Sequence, residues 1–215
     1  PNLIEYIQNK NIVYTNTTHE FFAQSLGILY DLIIIHQQSK DDQFLVRGYE
    51  IIYNWFQNNS RFDIFQSPLV WNGHVVSERI LAVLSFNDYA RQHIIPDSKN
   101  KDMINEIAKD SILFLASPYN YNNKHNHGIF QDFALLTSAE HLQNKEQQKT
   151  YFKIAIDRFK QQVAETYDPN GVHLENSPSY HLGITDLLND FVSYAKKLNL
   201  DLGLETLKRI ELANK

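Results

Sequence analysis

The chain has no cysteine among its 215 residues. Thiolate zinc sites, disulfides and thiol nucleophiles are therefore excluded, and compartment stays open because cysteine-free chains occur on both sides of a membrane. It also lacks a long apolar run. The strongest candidate, LGILYDLIII at 26–35, is interrupted by Asp31 and falls well short of the roughly 20 residues that a spanning helix needs. A basic excess is missing too: the net charge is −5, the sequence pI is near 6.0 and no segment concentrates Lys and Arg. Nucleic acid and anionic membrane surfaces are thus poor partners. The first residues, PNLIEYIQNK, show neither an initiator Met nor the basic-then-apolar pattern of a signal peptide. The expectation is a mature or cropped portion of a longer protein.

What is present is ordinary for a globular protein, with 43% hydrophobic and 21% charged residues, enough for one large domain or two small ones. Apolar residues recur at helical spacing, and strict apolar/polar alternation hardly occurs. Thr18, ahead of Phe21, Phe22, Leu26, Leu29 and Ile33, opens a predicted helix running to about Gln38. A second starts after Asp41-Asp42, carries Leu45, Tyr49, Ile52, Tyr53 and Phe56, and ends at Asn58-Asn59-Ser60. A third carries Val76, Ile80, Leu81, Leu84 and Tyr89 and is stopped by Ile95-Pro96-Asp97, since proline lacks the amide donor and restricts its predecessor. Further helices are predicted at 100–116, 127–144, 147–167, 184–199 and 203–213, with a turn at Pro169-Asn170-Gly171.

The predicted fold class is all-α, made of antiparallel helical hairpins. Two architectures fit that pattern, a stacked solenoid and an α/α toroid. No signature recurs at a fixed period of helical repeats, which favours an incomplete toroid formed by residues 1–215 as a single domain. Loops then gather where a cleft can be lined from several hairpins.

Three polar loops carry the chemistry. SPYNYNNKHNHG at 117–128 sets two imidazoles and a carboxamide before a long apolar-periodic run, and its plain reading is that Asn126 caps the next helix. A metal site at His125 and His127 lacks a third ligand at convincing spacing, because His141 lies almost four turns further on. GVHLENSPSYHLG at 171–183 places Tyr180 after a Ser-Pro break at a helix entrance, and a lone tyrosine is ordinarily a packed aromatic. WNGHVVSERI at 71–80 brackets a helix start with an indole and a guanidinium, and taken singly Trp71 is ordinarily core.

Together, Trp71 through Arg79, Asn126-His127-Gly128 and Glu175-Asn176-Ser177-Pro178-Ser179-Tyr180-His181 resemble the heparinase II/III-like polysaccharide lyases, a family that includes heparin and alginate lyases. The resemblance covers roughly residues 65–200, and its most specific parts are the Asn-His pair and the Ser-Pro-Ser-Tyr-His string. It implies an incomplete α/α toroid followed by a β-sandwich, an acidic polysaccharide or oligosaccharide as substrate, no cofactor or metal, and a periplasmic or secreted location. The reaction implied is β-elimination at a uronic acid. Asn126 would neutralise the carboxylate next to C5, Tyr180 would protonate the leaving oxygen, and the base would be His127 or Tyr180 itself. A histidine with a reference pKa of about 6.5 suits a base near neutrality, whereas a tyrosine near 10 needs a cationic neighbour. By the same resemblance Arg79 would bind a substrate carboxylate or lower the tyrosine pKa, Trp71 would stack on a sugar ring, and His74, Glu175 and His181 would bind substrate.

One feature departs from the family pattern: no series of sandwich strands follows the last predicted helices, so either the sequence ends early or the protein has lost that half, and a fragment of this length could fold and yet be inactive. Two other function classes compete. A glycoside hydrolase would pair Glu175 with a second carboxylate, Asp132 or Glu78, across the cleft. A noncatalytic glycan-binding or scaffold protein would keep the helices and aromatic loops without the Asn-His and Tyr combination.

Overall fold

A computed structural model of the chain describes residues 16–59, 67–174 and 178–214, the side chains of 178–182 excepted. Helices account for nearly all of its regular structure. Among the described residues the only β pairing is an isolated bridge between Tyr167 and His173, so the all-α expectation holds. The helices fall into two compact units, Pro1–Phe114 and Leu115–Lys215.

The first unit contains α1 (Thr17–Gln24), α2 (Ile28–Ser39), α3 (Gln43–Asn58), α4 (Gly73–Ala90) and most of α5 (Ser98–Ala116). The helix predicted from Thr18 to about Gln38 is broken into α1 and α2. Asn16 caps α1 by accepting from the Thr18 amide at 2.7 Å, and the fully buried Leu26 takes a left-handed φ of 55° between the two helices. Apolar spacing alone does not reveal such a break, because Leu26 keeps its place in the core on either side of it.

Asn72 caps α4 through the amides of His74 and Val75. This helix is buried on almost every face, from Val75, Val76, Ile80, Ala82 and Val83 to Leu84 and Phe86, and it packs against α1, α2 and α3. A helix apolar all round belongs at the centre of a unit. α4 ends at Ala90, earlier than the proline at 96 would require, and the chain leaves it through a turn. His36, at the end of α2, fastens that corner: its ring bonds the Tyr89 hydroxyl at 2.8 Å and the Asp42 carboxylate at 3.1 Å.

The second unit contains a 3-10 turn (Pro118–Asn120), α6 (Asn126–Glu140), α7 (Lys145–Thr166), α8 (Pro178–Lys197) and α9 (Leu204–Ala213). α6 and α7 form its main hairpin, α8 packs on α6, and α9 packs on α7 and α8. Phe159 of α7 and Phe191 of α8 stack in parallel with ring centres 3.7 Å apart, at the middle of this core. The predicted turn at Pro169-Asn170-Gly171 is present. Asp168 accepts from the amides of Asn170 and Val172, and Gly171 takes a φ of 82° that only glycine adopts freely.

The directions of α6 and α8 follow from their contacts. Phe133 meets Phe191 at mid-helix, and Glu140 at the end of α6 meets both Tyr194 and Lys197 at the end of α8. The two helices therefore run parallel. Their N-termini, one carrying Asn126 and His127 and the other Tyr180 and His181, lie at the same end of the unit.

Candidate active site

The turn that enters α6 is built from below by buried amides. Gln131, on α6, accepts from the Asn122 amide at 2.8 Å and donates to the Asn120 carbonyl at 2.7 Å. Gln162, on α7, accepts from the Lys124 amide at 3.0 Å and donates to the carbonyls of Asn122 and His125 at 2.9 and 3.4 Å. Both glutamines are almost wholly buried. Each supplies partners that the loop backbone would otherwise take from water, which ties the loop to α6 and α7. Gly128 admits this clamp: a Cβ there would stand 1.8 Å from the Gln162 Nε2 and 2.4 Å from the Asn122 carbonyl oxygen.

A second support lies beside it. The Tyr121 hydroxyl donates to the buried Asp132 carboxylate at 2.8 Å, and the Arg158 guanidinium lies 4.2 Å from the Tyr121 ring while donating to the carbonyls of Leu115 and Ala116. Burial pushes the Asp132 carboxyl well above the ordinary carboxylate range, against the smaller pulls of the Tyr121 hydrogen bond and the Arg158 charge. The folded protein then binds that proton more tightly than the unfolded chain. The stability tied to it is fully present below the unfolded pKa of about 4 and is lost as pH rises towards the folded one. Asp132→Asn keeps an acceptor for the Tyr121 hydroxyl and has no charge to bury. It is expected to exceed the parent in stability at neutral pH, with the gap closing towards pH 4 or so, as read by denaturant titration across pH. A gap that widens towards acid would contradict this.

The helix cap is not Asn126. His125 is the N-cap, with its Nδ1 accepting from the His127 amide at 3.1 Å, and Asn126 is the first helical residue. The Asn126 side chain is buried, and its Oδ1 has no hydrogen-bond partner among the described residues. The plain capping reading of Asn126 is thereby replaced. Among the described residues the Asn126 Oδ1 is committed to no backbone group. His127 follows it, half-buried, with its ring centre 4.3 Å from that of His125. Tyr180 and His181 stand in the first turn of α8, while their side chains, and Glu175 altogether, lie outside the described residues.

The other stretch lies in the first unit. Arg79 of α4 is fully buried, donates to the carbonyls of Gln24 at 3.0 Å and Val70 at 2.9 Å, and sits 4.1 Å from the Trp55 ring and 5.5 Å from the Trp71 ring. Burial lowers its pKa to about 9. Arg79 thus joins the end of α1, the turn before α4, and α3. Trp71 packs near Phe114, and its buried Nε1 has no partner among the described residues. His74 lies 5.0 Å from the Phe21 ring and 3.6 Å from the Glu78 carboxylate.

Sequence reasoning missed Gln131, Gln162, Tyr121 and Arg158 as the supports of the site. The signal for the two glutamines was a polar residue recurring within apolar-periodic helices, which reads equally well as a solvated face. Among the described residues no three potential metal ligands cluster, and no helix is long and apolar enough to cross a membrane.

The fold is all-α, of the helical-hairpin class to which incomplete α/α toroids belong, and an Asn-His turn heads one of its helices. The sequence matches the heparinase II/III N-terminus family over residues 5–206, and the chain belongs to that family. No curated protein matches it. Among solved structures, heparan sulfate lyase HepC from Pedobacter heparinus shares the fold, with a TM-score of 0.78 and 13% identity over 95% of this chain and 32% of its own. A mutant of that lyase gives a TM-score of 0.77 and 14% identity over 96% of this chain and 33% of its own. A heparinase III gene product with methylated lysines gives 0.74 and 14% over 96% and 35%. The chain spans about a third of the length of these structures.

Proposed function

We propose that this chain is the helical domain of a longer polysaccharide lyase that cleaves a uronic-acid-containing acidic polysaccharide by β-elimination. The observation that carries the proposal is the Asn126 carboxamide, set at the head of α6 in a chain of the heparinase II/III N-terminus family and left out of the cap that His125 makes. In the reaction a base removes the C5 proton, the electron pair forms the C4–C5 double bond, and the C4–O4 bond breaks. An ionised carboxylate resists the first step, because the carbanion adds a second negative charge beside the first. A carboxamide that donates to the carboxylate, and donates more strongly as charge grows, lowers that barrier.

His127 or Tyr180 takes the C5 proton, and Tyr180 gives the departing O4 its proton. The parallel arrangement of α6 and α8 supports this division of labour, because it sets both helix heads at one end of the second unit. Glu175 and His181 would serve the substrate in this reading, in a periplasmic or secreted protein, whereas Arg79, fully buried on the carbonyls of Gln24 and Val70, serves the fold of the first unit. The hydrolase reading needs a carboxyl that reaches substrate. Asp132 is fully buried beneath Tyr121 and is a poor candidate for it.

The test is incubation of the full-length protein with heparan sulfate, heparin and alginate, following ultraviolet absorbance. Elimination leaves a conjugated unsaturated uronate that absorbs, and its appearance with one of these polymers is the expected result. Chain shortening without that band would mean hydrolysis, and binding without shortening would mean a noncatalytic glycan-binding protein.

A further inference from the structure

The loop before Asn126 presents two side chains outward that its internal bonds do not use. Tyr119, in the 3-10 turn, is 96% exposed. Lys124 also points to solvent, with its side chain 66% exposed and its nearest carboxylate, Glu165, at 4.0 Å. Lys124 holds a φ of 58°, in the left-handed region. The other non-glycine residues found there, Leu26, Lys40 and Asn199, each lie within two residues of the end of an α-helix, where this conformation is common. Lys124 follows no α-helix, and its conformation is imposed by the bond from its amide to the buried Gln162. A non-glycine residue kept in an unfavourable conformation by its surroundings marks a place where position matters.

We propose that Tyr119 and Lys124 form a subsite for an anionic sugar residue of the polymer, next to the one whose proton is removed. This rests on the lyase reading of the same loop. The phenol ring offers a flat apolar face to the axial C–H groups of a sugar, and the ammonium pairs with its carboxylate or sulfate. The two glutamines hold the loop backbone at Asn120, Asn122, Lys124 and His125, so the backbone that carries Lys124 has little freedom to lose when sugar binds. Glu165 sets the counterweight, since its carboxylate competes with the sugar for the Lys124 ammonium.

The experiment is calorimetric binding of a defined heparan sulfate oligosaccharide, with a neutral oligosaccharide of equal length as control. It uses full-length protein carrying Asn126→Ala, so that ligand is not consumed. Tyr119→Ala should weaken binding by about tenfold. Lys124→Gly should weaken it by about three- to fivefold and flatten its salt dependence. Lys124→Arg should restore it, and Glu165→Gln should strengthen it. Lys124→Gly should also leave the denaturation midpoint unlowered, because glycine adopts this φ without strain; a merely structural lysine would give the opposite split. Affinities of Tyr119→Ala and Lys124→Gly indistinguishable from the Asn126→Ala protein overturn the subsite. So does a Lys124→Gly loss equal for the neutral ligand, or absence of binding by the Asn126→Ala protein. Dependent binding together with no unsaturated product from the unmutated protein retains the subsite and discards the lyase reading. Unsaturated product formed with unchanged KM by both variants in the unmutated background does the reverse.

Discussion

Asn126→Ala in the full-length protein is expected to lower turnover by about 100- to 1000-fold, the usual cost of one preorganised donor to developing charge. Its folding stability should stay level or rise slightly. The side chain gives the helix no cap, because His125 does that, and its buried Oδ1 has no partner to lose among the described residues. Removing a buried polar group that lacks a partner relieves a desolvation cost and breaks no bond. The paired measurement is turnover on the uronate polymer and the denaturant midpoint. An Asn126→Ala protein within a few-fold of the parent in rate, or clearly destabilised, would refute this role.

Arg79→Ala has its largest expected effect on folding. Truncation leaves the Gln24 and Val70 carbonyls buried without donors and opens a cavity beside Trp55. The two losses together predict a destabilisation of about 3–5 kcal/mol. Arg79→Lys should recover only part of it, since an ammonium cannot reproduce the planar fork that reaches two carbonyls and lies against an indole. A substrate-binding arginine at this position would behave differently, raising KM at an unchanged denaturation midpoint. That result would show that the guanidinium reaches solvent during binding.

The helices were legible because burying one face of an amphipathic segment fixes its spacing, and α3 and α7 were placed to within two residues of both ends. The break at Leu26 was not, since a buried leucine in a left-handed turn keeps the apolar period that a continuous helix would show. The start of α8 was set six residues late. Its first turn, Pro178-Ser179-Tyr180-His181, lacks an aliphatic stripe, although the proline at its first position was the available signal. The motif singled out Asn126, but its role in the helix was misread: histidine seldom caps, and only the geometry shows the imidazole of His125 accepting the His127 amide. The clamp of Gln131 and Gln162 was invisible for a further reason. The burial of Gln162 depends on a loop some forty residues away folding over it, a long-range contact that local periodicity does not encode.

The most direct measurement of the central claim is the mass of the products released when the full-length protein degrades its uronate polymer in heavy-oxygen water. β-Elimination adds no solvent oxygen, so the account predicts unlabelled fragments whose new non-reducing ends are one water lighter than a hydrolytic product. Heavy oxygen at the newly formed ends would mean that water attacked the glycosidic bond, and that neither Asn126 nor Tyr180 acts as proposed.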